Sequence, residues 1–141
     1  LEKPISPSSL LEKLDLLLRA KKNQEIRILH VEDDPHLGQV LALHLADFAS
    51  SVQATSVKSA TQLLRSQAFD LVILDIGLPD GSGLELLPEL ALHQPQTPVV
   101  IWSAQELSPT QRHQVDLVLA KSRIDLPALL QQLKNLLVQR G

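Results

Sequence analysis

Apolar residues in this chain follow two alternating rhythms. Short, nearly continuous apolar runs rich in β-branched residues give way to longer stretches where leucine or alanine returns every three or four positions. The first kind reads as strands buried on both faces, the second as amphipathic helices. The runs predict strands over 26–31, 51–55, 70–74, 97–102 and 117–120. The helical spacing predicts helices over 35–48, 57–66, 83–93 and 125–139, with a weak one over 108–115. Leu37, Val40, Leu41, Leu45 and Phe48 mark the inward stripe of the first helix. Asp34 is placed to cap that helix, and Pro35 falls in its first turn, where proline is tolerated. Pro88 implies a kink or an early break in the third helix. Strands alternating with helices predict an α/β fold, a doubly wound five-stranded parallel sheet with helices on both faces. Residues 1–24 stand apart as an N-terminal amphipathic helix and linker. There, Ser6-Pro7-Ser8-Ser9 precedes Leu10, Leu11, Leu14, Leu17 and Leu18. The main domain is expected over 25–141.

The polar residues at the strand ends change the picture. Asp75 closes the run Leu71-Val72-Ile73-Leu74, and a turn follows from Ile76 to Gly83. The run ending at Val31 leads into Glu32-Asp33-Asp34. Parallel α/β sheets bind their ligands at the carboxyl edge of the strands, so these acids could all meet there. Clustered carboxylates repel strongly at low effective dielectric and stay ionised together when a cation joins them. Hard oxygen ligands select Mg²⁺, with Mn²⁺ as the alternative. The fourth strand runs into Ser103-Ala104 and the fifth into Lys121. A fixed ammonium and a hydroxyl beside a metal suit the stabilisation of charge on a phosphoryl group. The pattern therefore suggests a metal-assisted phosphoryl site.

These residues carry a resemblance. The stretches Ile28-Leu29-His30-Val31-Glu32-Asp33-Asp34-Pro35, Asp70-Leu71-Val72-Ile73-Leu74-Asp75, Leu78-Pro79-Asp80-Gly81-Ser82-Gly83, Val99-Val100-Ile101-Trp102-Ser103-Ala104 and Leu119-Ala120-Lys121 resemble the receiver domain of two-component response regulators. The likeness covers about residues 24–140 and implies the flavodoxin-like receiver fold. By resemblance, Asp75 accepts the phosphoryl group and Asp33 is a direct metal ligand. Glu32 acts on the metal through water, and the Gly77 backbone carbonyl fills the third ligand position. Ser103 moves toward the phosphoryl oxygen, and Lys121 pairs with the acyl phosphate. Asp34 shapes the field or caps the next helix, and Ala104 follows the switch serine. Three departures stand out. Ser122 takes the place of the usual proline after the lysine, and Val118 takes that of the usual aromatic. The span from Ser103 to Lys121 is also short, so the fourth helix is expected to be short or irregular. Lys121-Ser122-Arg123 resembles receivers attached to hybrid sensor kinases, and Val118 argues against an aromatic rotamer switch. The N-terminal segment echoes the chain's own end when Lys3 is set against Lys121. With a one-residue offset, its leucines fall on Leu129, Leu130, Leu133, Leu136 and Leu137. It therefore resembles the last helix of a preceding receiver.

The expected function is acceptance of a phosphoryl group from a histidine kinase or phosphotransfer domain, followed by slow self-dephosphorylation rather than enzymatic turnover. The alternative is an interaction domain that no longer uses phosphorylation, but none of the residues it would lack is missing. A haloacid-dehalogenase-like phosphatase needs a second aspartate two residues after the first, where Gly77 stands. A homodimer or a tandem receiver is the expected assembly, and the end of a hybrid kinase or tandem-receiver protein the expected setting. With 141 residues and 44% hydrophobic content, the chain can build one sizeable core. A net charge of −3 gives no polyanion-binding signal, so neither nucleic acid nor a membrane surface is an expected partner. Absence of cysteine excludes disulfide and thiol chemistry. No apolar run reaches the ~18 residues of a membrane span, and the start, Leu1-Glu2-Lys3-Pro4, lacks a signal-peptide core, so a cytoplasmic location is expected. The five histidines show no metal-ligand spacing. Gly81-Ser82-Gly83 is a turn rather than a phosphate-binding loop. Trp102, one residue before Ser103, faces the opposite side of its strand, toward the core.

Overall fold

Five strands pair in parallel: β1 (Ile26–Val31), β2 (Ala49–Ala54), β3 (Leu71–Leu74), β4 (Val99–Ser103) and β5 (Leu117–Ala120). Their order across the sheet is β2-β1-β3-β4-β5. The computed structural model describes residues 26–140. The expected N-terminal helix of residues 1–24 lies outside the described residues. The helices are α1 (Pro35–Leu45), α2 (Val57–Ser66), α3 (Leu87–His93), α4 (Pro109–Arg112) and α5 (Leu126–Arg140). A 3-10 turn over Gly83–Leu86 leads into α3. The winding reverses between β1 and β3, which opens a crevice at the carboxyl ends of those two strands.

Alternating side chains divide the core into two layers. Leu29, Val31, Val72, Leu74 and Ile101 face one way and pack with Ala60 and Leu64 of α2 and Leu90 of α3. Ile26, Ile28, Ile73, Val100 and Trp102 face the other way and pack with Leu41 and Leu45 of α1 and Leu129 and Leu133 of α5. Burying each such Leu or Ile stabilises the fold by about 1.5–3 kcal/mol. All four residues of β3 are buried, as its unbroken apolar run requires of a central strand. Behind it, the buried Gln94 acts as a bracket. Its Nε2 donates to the carbonyls of Leu64 at 3.0 Å and Gln67 at 2.7 Å. Its Oε1 accepts from Phe69 N at 2.8 Å, so the end of α2 and the lead-in to β3 are tied together.

Several element bounds depart from the sequence expectation. Helix α1 stops at Leu45 rather than 48, because Phe48 N turns back to the Leu45 carbonyl at 2.9 Å. Strand β2 therefore starts at Ala49 rather than 51, in register with Ile26. It is a serine-rich edge strand with only Ala54 fully buried, so its apolar signal is weak. Strand β4 covers 99–103 rather than 97–102, which puts Ser103 on the ladder opposite Ala120. Helix α4 is a single turn over 109–112 rather than 108–115. None of its residues is buried, so no apolar stripe holds a longer helix. The break expected at Pro88 is present, since α3 begins at Leu87 with Pro88 in its first turn.

His30 sits in the α1–α5 layer, 2% exposed, with its ring centroid 6.2 Å from that of Trp102. Burial, helped by the nearby Lys121 charge and opposed by Asp75, lowers its pKa from 6.5 to about 4. The folded state therefore disfavours the protonated ring. Stability is full above pH 6.5 and falls as the pH drops toward 4. From pH 7 to pH 4 the stability of His30→Phe relative to the native chain should rise by about 3 kcal/mol, the equivalent of that pKa change. Urea unfolding at the two pH values measures it, and a constant difference would contradict the assignment.

After β3 the chain forms a short hairpin in which Gly77 pairs with Ser82 and Leu78 with Gly81. Gly81 adopts φ +155°, a conformation suited to glycine. Gly83 N donates to the Ile76 carbonyl at 2.8 Å. A Cβ added at Gly83 would collide with the Asp75 carbonyl oxygen, whereas one at Gly77 would meet only the flexible end of Gln105. Gly83→Ala should therefore destabilise the fold by about 1–3 kcal/mol, and Gly77→Ala should not. Equal urea midpoints for the two variants would show that the close approach at Gly83 is unimportant.

Candidate metal and phosphoryl site

Parallel strands end on the same side, and four of them bring chemistry to that edge. Glu32 follows β1, Asp75 follows β3, Ser103 ends β4 and Lys121 follows β5. Each position just past a strand is anchored by one more ladder bond. Glu32 N donates to Ala54 O at 2.9 Å, Asp75 N to Val31 O at 2.9 Å, and Lys121 N to Ser103 O at 3.0 Å. These side chains therefore start from rigid backbone.

The Lys121 ammonium bridges two carboxylates, at 2.6 Å from Glu32 Oε1 and 3.0 Å from Asp75 Oδ2. Ser103 Oγ donates to the other Asp75 oxygen, Oδ1, at 2.6 Å. The same hydroxyl accepts from Gln105 N at 3.2 Å and, more weakly, from Ile76 N at 3.4 Å. The Glu32 side chain is 2% exposed, that of Asp75 12% and that of Lys121 20%. Burial pushes the Glu32 carboxyl above the ordinary range, against the opposing pull of Lys121 and the Asp34 amide. Burial alone would lower the Lys121 pKa, but its hydrogen bonds to Glu32 and Asp75 outweigh that and raise it. The ammonium thus stays charged at neutral pH. It also lies 5.6 Å from the centre of the Trp102 ring, within cation–π range.

Glu32, Asp33 and Asp75 each offer an oxygen, and these oxygens lie within 4.8 Å of one another. Carboxylate oxygens so close, one of them nearly dry and one on the exposed Asp33, form a donor set suited to a hard divalent cation. Gly77 lies exposed at the base of the hairpin, two residues past Asp75. Asp34 is outside this group. Its side chain caps α1, accepting from His36 N at 2.9 Å. Ala104 is exposed beside Ser103 and brings no polar side chain.

Two supporting residues escape a reading by motif. Gln53, on β2 in register with His30, donates from Nε2 to the carbonyls of Glu32 at 2.6 Å and Asp34 at 3.0 Å. It thereby clamps the backbone on both sides of Asp33. Gly38 on α1 makes room for it, because a Cβ there would collide with the Gln53 amide. The only sequence signal is one glutamine between two apolar residues of a serine-rich strand. The other is Gly83, whose lack of a side chain lets the hairpin close against the Asp75 backbone. Its signal was a turn-like Gly-Ser-Gly, which reveals flexibility but not the neighbour.

Known proteins resemble this chain in sequence and in fold. The regulator PilR of Pseudomonas aeruginosa is 38% identical over 79 residues, covering 55% of this chain and 18% of that protein. The transcriptional regulatory protein CiaR of Streptococcus pneumoniae is 34% identical over 109 residues, covering 77% of this chain and 48% of that protein. The chain thus spans less than half the length of these curated relatives. Among solved structures, the response regulator TrrA of Thermotoga maritima, crystallised in complex with Mg(2+)-BeF, superposes with a TM-score of 0.70 at 28% identity. That match covers 78% of this chain and 97% of the other. The family model of the response regulator receiver domain matches residues 28–122, from within β1 to just past Lys121, and the chain belongs to that family.

Proposed function

We propose that this domain accepts a phosphoryl group on the Asp75 carboxylate from the phosphohistidine of a histidine kinase or phosphotransfer domain. The observation that carries this reading is Asp75 itself. One of its oxygens is held by the Ser103 hydroxyl and the other by the Lys121 ammonium, beside two further carboxylates. In the proposed site Asp33, Asp75 and the Gly77 carbonyl would hold Mg²⁺, with Glu32 acting on it through water. Mn²⁺ is the alternative ion. TrrA, with its bound Mg(2+)-BeF, supports the choice of metal. When bound, the cation neutralises charge on the phosphoryl oxygens and on Asp75.

The chain's own residues do the rest. An Asp75 oxygen attacks phosphorus, a P–O bond forms, the P–N bond breaks, and the imidazole leaves with the bonding pair. Lys121 then exchanges its contact with Asp75 for one with the new phosphoryl oxygens. Ser103 loses its acceptor and turns its hydroxyl to a phosphoryl oxygen. Water slowly hydrolyses the acyl phosphate and resets the site. Val118, half-buried on β5 and stiff at χ1, offers no ring to follow the serine. The response is instead carried by the backbone between Ala104 and Asp116, where α4 has no buried residue. The setting of a hybrid kinase or tandem receiver, and pairing with a second receiver, belong to the same proposal.

Incubation with Mg²⁺ and acetyl phosphate, read by intact mass, tests the reading. The native chain should gain one phosphoryl group, and chelation of the metal should prevent it. Asp75→Asn should gain none, because its amide is a poor nucleophile. Equal phosphorylation of Asp75→Asn would overturn the assignment.

A further inference from the structure

The hairpin after Asp75 is held at its base, by the Gly83 amide on the Ile76 carbonyl and by Leu78 packed against the core, but its tip is open. Gly77, Pro79 and Asp80 are exposed, and its ladder is two residues long on each side. A ladder that short is marginal by itself. Yet this hairpin carries the Gly77 carbonyl, which must keep a fixed position if it is to serve a metal.

Its tip is fastened from outside. The Asp80 carboxylate accepts from Val57 N at 2.8 Å through Oδ1 and from Lys58 N at 3.0 Å through Oδ2. Those are amides of the first turn of α2, which have no partner within the helix. Helix α2 is itself fixed, since Ala60 and Leu64 are buried against the sheet. Nor does α2 depend on Asp80 to begin. Ser56 Oγ already accepts from Ser59 N at 3.0 Å, and Ser59 Oγ accepts from Ser56 N at 3.2 Å, a complete capping box. The two amides bound by Asp80 therefore serve the hairpin more than the helix. Hydrogen bonding to them keeps the Asp80 carboxyl below its ordinary range, so the clasp is ionised at neutral pH.

We propose that Asp80 is a positioning residue for the metal: its two-pronged clasp on the first turn of α2 holds the hairpin so that the Gly77 carbonyl stays beside Asp75. This inference rests on the reading of Gly77 as a metal ligand. It makes α2 part of the metal site's support although no residue of α2 reaches the carboxylate cluster.

The test is an Mg²⁺ titration followed by amide chemical shifts in the native chain and three variants, with thermal unfolding alongside. Ser56→Ala removes the other cap of the same helix and controls for lost helix stability. Both Ser56→Ala and Asp80→Ala should lower the melting temperature. Only Asp80→Ala should weaken Mg²⁺ binding, by about tenfold, the low end for loss of an outer contact to a ligand. Asp80→Asn keeps one acceptor oxygen and should fall between. Unchanged affinity in Asp80→Ala would overturn the proposal, as would equal weakening in Ser56→Ala. A native chain with no saturable response to Mg²⁺ would instead remove the metal reading, and this inference with it.

Discussion

The carboxyl edge of this sheet depends on one interaction, the Lys121 ammonium lodged between Glu32 and Asp75 at 2.6 and 3.0 Å. Two carboxylates side by side, one of them nearly dry, repel each other and resist ionisation. A cation between them supplies the counter-charge that each otherwise lacks. Removing one partner of such a group commonly costs several kcal/mol, because a charge is left buried and unpaired. The parallel sheet makes the arrangement available. Lys121 is 89 residues from Glu32 and 46 from Asp75, yet all three start from strand ends on one edge of the sheet, with β1 beside β3 and only β4 between β3 and β5.

The same charges that need Lys121 make the edge receptive. In the proposed function, Mg²⁺ would take the place of the ammonium as counter-charge to Asp75, and a phosphoryl group would take the place of Asp75 as the partner of Lys121. Ser103 donates to the other Asp75 oxygen, a contact that the proposed transfer would release. The site is thus a set of interchangeable ionic contacts on a rigid frame. Its loops are held by separate means: Gln53 clamps the acidic loop, and the close packing of Gly83 shapes the hairpin.

What the sequence reveals follows from how local each signal is. The ends of β1, β3 and β5 are legible because apolar runs stop where a charged residue begins. Those ends bring Glu32, Asp75 and Lys121 together. The bounds of β2 and α4 are less legible. One is a serine-rich edge strand and the other a turn without buried residues, so neither has an apolar rhythm to read. The roles of Gln53, Gly38, Gly83 and Asp80 were out of reach for another reason. Each is defined by a distant backbone or side chain, and spacing along the chain does not encode that approach. Asp34 lay between the two cases, and the helix beside it claims its side chain.

Lys121→Met tests the central claim most directly, with Mg²⁺ affinity and metal-free stability measured on the same protein. If the ammonium is the resident counter-charge of Glu32 and Asp75, the metal-free variant should lose about 3–5 kcal/mol of stability, the carboxylates being left unpaired. It should also bind Mg²⁺ more tightly, by about fivefold or more, because a competing positive charge is gone. Saturating metal should then restore much of the lost stability. Weaker Mg²⁺ binding with unchanged stability would contradict the account.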